Sequence, residues 1–190
     1  MTRWGAMAAL ALVATPLPAQ ELPIRDATVA TGSLGFDGHA TVGDFTGLTR
    51  EVSGAMRGAP DLAGVTGWVT APVASLQTGN GRRDRDLRKS MEPEQFPDLR
   101  FDLLRARADS GTPDSLPVSL LGRLTLHGVT REVDLPAVLA FDTEGVRVRC
   151  DFPVNLKDYG ISGLSKVLGI LKMDEHIEVH VDLRFQSQAP

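Results

Sequence analysis

The chain has a single cysteine, Cys150, in 190 residues. No intramolecular disulfide can form, so the fold must be held by its apolar core alone. Aromatic residues make up only 5% of the chain, which leaves few bulky side chains to fill an interior. No apolar run approaches the ~20 residues that span a bilayer as a helix. Basic residues are not in excess, and a formal net charge of −4 argues against a nucleic-acid binder. A nucleophile elbow, a phosphate-cradling G-x-x-x-x-G-K-[ST] loop and an H-E-x-x-H pair are all missing. No catalytic residue, metal or cofactor is therefore assigned. No segment repeats.

What is present begins with a leader. Met1-Thr-Arg3 is followed by a short apolar run, Ala6 to Ala14, and then by Thr15-Pro-Leu-Pro-Ala19. This order reads as a secretory signal peptide over residues 1–19, cut after Ala19, with one domain over 20–190. Removing it takes away Arg3 and moves the net charge from −4 to −5. No cysteine follows the cut to carry a lipid. The expected destination is the periplasm or the medium, with no integral membrane segment once the leader is gone.

The mature chain is dominated by period-two alternation, the signature of strands with one apolar face. Leu34 and Phe36 open the series. Val65, Gly67, Val69, Ala71 and Val73 continue it, with Trp68 on the other parity. In Leu121 to Val133, Gly122, Leu124 and Leu126 share one face, while Arg123, Thr125 and His127 share the other. His127-Gly128 supplies a tight turn. Val133, Leu135, Ala137, Leu139 and Phe141 follow. So do Val146, Val148, Cys150, Phe152 and Val154, and then Ile177, Val179, Val181, Leu183 and Phe185.

The pattern breaks at Ser75 to Met91, which begins as turn chemistry and ends as a short helix. Thr78, Asn80 and Asp84 are cap candidates, and Leu87 and Met91 lie on one helical face. Phe96-Pro97 ends this excursion. Asn155 to Ile161 is turn-rich, and Val167 to Leu171 reads as a helical turn or a short strand. The expectation is an all-β, antiparallel fold of about eight strands with one or two short helices. Periodicity alone leaves barrel and sandwich both open.

Several segments, taken in order, resemble the YceI-like family. Gly122-Arg-Leu-Thr-Leu-His127-Gly-Val-Thr130 is similar to its "G-x-L-T-x-H-G-V-T" hairpin. Ser75-Leu-Gln-Thr78-Gly-Asn80, Arg83-Asp84, Leu87-Arg88, Phe96-Pro97 and Phe101 follow its middle motif. His39 with Gly43-Asp-Phe45-Thr-Gly47, and Leu156-Lys-Asp158-Tyr159-Gly160-Ile161 with Asp174-Glu175-His-Ile177, resemble its two ends. The stretch after Arg88, Lys-Ser-Met-Glu-Pro-Glu-Gln, departs from the more apolar segment usual there. The resemblance implies an exported, lipocalin-like barrel that holds a polyisoprenoid or another amphiphile in its interior and is not an enzyme.

On that reading the lumen wall is Leu34, Phe36, Phe45, Phe101, Leu124, Leu126, Phe152 and Ile177. Gly67, Ala71, Gly122 and Ala137 would leave room beside them. Arg83, among Arg82, Arg85 and Arg88, is the candidate to meet a phosphate or carboxylate headgroup, whereas Asp84 is expected to be structural. Cys150 is expected to be buried and inert. His176 and His180 stand four apart, but on a strand, which does not favour a shared metal. His127 is expected to bond locally. Two other readings stay open: an enzyme acting on a lipid with His39 or His127 as base, and a filled barrel that serves as an interaction or scaffold protein. The expected partner is an amphiphilic lipid or isoprenoid; a homodimer stays open.

Overall fold

A computed structural model of the chain describes residues 24–41, 43–161, 165–166 and 171–187. The leader at 1–19 and most of the 167–171 apolar run lie outside them. The strands are β1 (Ala27–Gly38), β2 (Phe45–Thr49), β3 (Ser53–Arg57), β4 (Thr66–Pro72), β5 (Asp98–Ala108), β6 (Leu116–Leu126), β7 (Val129–Asp142), β8 (Gly145–Asn155), the short pair β9 (Ser165–Lys166) and β10 (Leu171–Lys172), and β11 (His176–Ser187). One helix, α1 (Gly81–Met91), interrupts them.

Eight antiparallel strands run β1-β3-β4-β5-β6-β7-β8-β11, and β11 returns to pair with β1. The sheet therefore closes into a barrel, which removes the exposed edges of an open sheet. β3 meets β1 only at Ala27 and Thr28, and β2 continues the contact at Leu34–Gly38. β2 is thus the extra strand that completes β1's flank.

Two bulges shape the wall. The β1–β11 register slips between Val29 and Thr31, so inward positions change from Ala27 and Val29 to Gly32, Leu34 and Phe36. The β5–β6 register slips between Leu103 and Arg105, and the extra residue, Leu104, is left 38% exposed. A bulge adds twist and bends its strand, as a closing sheet requires. It also reverses parity, which a strict period-two reading does not register.

The β6–β7 turn is His127-Gly128, at φ +50° and +73°. Two successive positive φ values suit the right-handed twist of the flanking strands. His127 sits where a Gly or Asn is usual and is held by packing: its ring lies 4.3 Å from that of Phe96. A Cβ at Gly128 would come within 2.5 Å of the same Phe96 ring. The Phe96-Pro97 and His127-Gly-Val-Thr130 motifs therefore touch. The contact docks the exit of α1 on the hairpin tip.

At the other end of α1, the Asn80 carboxamide caps the amides of Arg82 and Arg83 at 3.0 and 3.2 Å. Asp84 reaches back to accept from the Thr78 amide and hydroxyl at 2.8 and 2.6 Å. Those bonds, the hydroxyl's foremost, hold its carboxyl below the usual carboxylate range.

The small residues act differently from the expectation that they leave room. A Cβ at Gly122 would lie 2.3 Å from the Phe101 ring, and one at Gly47 would lie 2.1 Å from the Phe36 ring. At Gly67 the obstruction is the Ala55 carbonyl, 2.7 Å away. These glycines let a ring or a neighbouring strand approach, so the space they free is already occupied. Gly67 and Ala71 do line the upper chamber of the lumen, whereas Gly122 does not.

Candidate functional site

Inward side chains of all eight barrel strands surround a lumen with two chambers. The upper, of about 150 Å³, lies among Phe101, Leu120, Leu139, Val148, Leu183 and Phe185. The lower, of about 90 Å³, lies among Phe36, Leu126, Val154, Ile177 and Val179, and is covered by Leu87 and Met91 of α1. Leu34, Leu99, Leu124 and Phe152 line both chambers and form a waist between them. Every residue around the lower chamber is apolar. Around the upper one only Thr70 and Arg100 are polar. Such a space gives water almost no hydrogen-bonding partners, which is the condition for a dry cavity.

The residues put forward from the sequence fall as follows. Leu34, Leu124 and Phe152 are at the waist, and Phe101 is in the upper chamber. Phe36, Leu126 and Ile177 are in the lower chamber. Phe45 stands one ring further out, edge-on to Phe36 at a centroid distance of 6.1 Å. Arg83 lies over the outer face of Phe45, its guanidinium carbon 4.3 Å from the ring centre. Arg83, Phe45 and Phe36 thus stack outward from the lower chamber. Cys150 faces the upper chamber, and burial pushes its thiol up to about 12.

The histidines lie elsewhere. His39 is exposed and bonds Asp44 through Nδ1 at 2.8 Å. His127 Nε2 is buried without a hydrogen bond, 3.6 Å from the Glu92 carboxylate. Neither residue is in the wall of either chamber. On the barrel's outer surface His180 bonds Asp151 at 2.7 Å and Asp37 at 3.1 Å, which ties β11 to β8 and β1. The Asp151 bond, aided by Asp37, raises the His180 pKa. His176 bonds Asp174 instead. Among the described residues no group of three or more His, Cys, Asp or Glu side chains could hold a metal ion.

One part of the wall is split. β7 and β8 pair from Asp142↔Gly145 only as far as Ala137↔Cys150. Beyond that point β7 from Pro136 back to Val129, and β8 from Asp151 to Asn155, no longer pair with each other. The sequence accounts for this. Successive N–H groups of a strand point to alternate neighbours. Phe141 donates towards the β6 side, to Pro113, so even positions of β7 face β8. Leu156 donates towards β11, to Glu175, so odd positions of β8 face β7. Pro136 and Pro153 stand at such positions, and proline has no N–H to give. In the continued register Pro136 would face Asp151 and Pro153 would face Asp134, so each of the next two hydrogen-bonded pairs lacks one of its two donors.

A cleft of about 420 Å³ fills the split. Its inner wall is Leu124, Leu135, Phe152 and Val154, which also line the lumen. Arg131, Glu132, Asn155, Asp158 and Tyr159 form its outer part. Arg131 Nε donates to the Asp158 carbonyl at 2.8 Å, and the guanidinium lies 5.9 Å from the Tyr159 ring centre. Tyr159 is buried, and burial raises its pKa. The sequence reading overlooked this cleft. The signal was there in two prolines within otherwise strand-like stretches.

The model of the YceI-like domain matches residues 27–185. The structure resembles Burkholderia cenocepacia BcnA with a TM-score of 0.67 at 17% identity, covering 80% of this chain and 94% of that one. It resembles a polyisoprenoid binding domain from Saccharophagus degradans, implicated in plant cell wall breakdown, with a TM-score of 0.67 at 15% identity, covering 87% and 99%. A Campylobacter jejuni YceI protein gives 0.55 at 16% identity, covering 76% and 85%. At these identities the likeness is one of fold. No curated protein matches the chain.

Proposed function

The chain belongs to the YceI-like domain family, and on that ground together with its apolar lumen we propose that it binds the hydrocarbon chain of an amphiphile, a polyisoprenoid or an acyl lipid, non-covalently. The observation that carries this reading is the pair of chambers meeting at the Leu34, Leu99, Leu124 and Phe152 waist. An extended chain can occupy both chambers with no polar contact. Each buried methylene contributes about 0.8 kcal/mol, offset in part by the entropy of association. The polyisoprenoid-binding relative of the same fold supports an isoprenoid in particular. Arg83, one ring away from the lower chamber, is the cation we put forward for an anionic headgroup that emerges beside α1.

Binding, not turnover, is the proposed activity. Neither His39 nor His127 borders the lumen, so neither is placed to act on a chain held there. Export through the leader at 1–19 and service as an envelope carrier or stress protectant complete the proposal. Among the described residues no helix is long and apolar enough to cross a membrane. The test is mass spectrometry of an organic extract of the purified protein. A prenyl or acyl lipid at near-stoichiometric yield is expected. An extract without lipid, together with failure to bind added isoprenoid alcohol, overturns the reading.

A further inference from the structure

We propose that the β7–β8 cleft is a polar station of the lumen that receives an uncharged, hydrogen-bonding headgroup, such as an alcohol or an amide, on a chain lying inside. This rests on the reading of the lumen as a site for an amphiphile. Three observations carry it. First, the cleft and the chambers share walls: Leu124, Leu135, Phe152 and Val154 face both. A chain at the waist therefore has a polar exit at its side. Second, the opening is written into the chain. Pro136 and Pro153 each remove one donor from the next two hydrogen-bonded pairs that would zip the strands together. The same loss disfavours an added peptide strand, which would need those donors for its own ladder.

Third, the charges select the head. The groups around the cleft that carry a charge at neutral pH are Arg131, Glu132 and Asp158. Arg131 is already committed to Asp158, with Nη2 3.8 Å from its carboxylate oxygen and Nε on its carbonyl. An anionic head would meet a guanidinium that is already neutralised, and a second carboxylate besides. A neutral head meets donors and acceptors, Asn155 among them, at no such cost.

The test compares two probes with one tail, geranylgeraniol and geranylgeranyl phosphate, by displacement of a bound fluorescent fatty-acid analogue. With Arg83→Gln in place, which removes the cation put forward for an anionic head, the alcohol is expected to bind about tenfold more tightly than the phosphate. Glu132→Gln combined with Asp158→Asn should bring the two affinities together by tightening the phosphate. A second variant, Pro136→Val with Pro153→Val, restores both donors and should weaken the alcohol without lowering the protein's stability. Equal affinities in the Arg83→Gln protein, or a ratio unmoved when the charge variant is added to it, overturns the assignment of the cleft. If neither probe nor the analogue binds, the fault lies with the lumen reading itself. A short peptide that displaces the alcohol would favour a protein partner at the cleft and overturn the proposal.

Discussion

Replacing Leu126 with tryptophan separates an empty lumen from a packed core. Leu126 ends β6, faces the lower chamber and is 9% exposed. Were the interior solid, the larger ring would overpack it and cost about 1–3 kcal/mol of stability. The chamber beside it instead offers about 90 Å³. Filling such a space is worth roughly 24 cal/mol per Å³, so up to ~2 kcal/mol is available to offset the larger ring. The variant should be as stable as the native protein or slightly more so. A ligand chain then loses the same space and the same ~2 kcal/mol, a fall in affinity of about 30- to 40-fold. Urea unfolding of the lipid-free protein and titration with geranylgeraniol measure the two quantities. Stability and affinity should move in opposite directions or, at the least, part company. A variant destabilised by more than about 2 kcal/mol with unchanged affinity would refute the two-chamber reasoning.

Further expectations can be checked with simpler assays. Cys150, its thiol pushed up to about 12 by burial, should resist a thiol reagent near neutral pH until the barrel is unfolded; fast stoichiometric labelling of the native protein would contradict that. His180 is raised above its ordinary value near 6.5 by its bonds to Asp151 and Asp37. Its stabilisation is thus complete below 6.5 and is lost as pH rises through the raised native value. The depressed Asp37 works the other way: its share is present above its ordinary value near 3.8 and is lost as pH falls through the lowered one. His180→Gln should flatten the alkaline fall of the urea midpoint, and an unchanged slope would count against the three-strand clamp. Asn80→Ala removes the cap of α1 and should cost about 1 kcal/mol. Because Leu87 and Met91 cover the lower chamber, the same variant should weaken ligand retention; calorimetry with a chase of bound lipid reads both.

Much of the barrel was legible because its strands keep one face apolar with a strict period of two. Val146 to Val154 and Ile177 to Phe185 face inward as their alternation requires. The helix was legible from its cap and its Leu87–Met91 spacing, and the His127-Gly128 turn from its glycine. Alternation gives no warning where strands bulge. β1 and β5 each carry one extra residue, and every side chain beyond it changes face. The glycines misled for another reason. A missing side chain signals close approach as readily as it signals space, and at Gly122 the Phe101 ring takes the space.

By itself, then, the sequence determined the elements, their antiparallel character, the apolar identity of the inner face and the turn chemistry, all of which are local or periodic properties. Closure was decided by the return of β11 to β1 across the whole length of the chain. The two chambers and their waist are likewise products of that closure. A cavity exists only where side chains from eight strands, distant along the chain, stop short of one another, and no single strand records how far its partners reach.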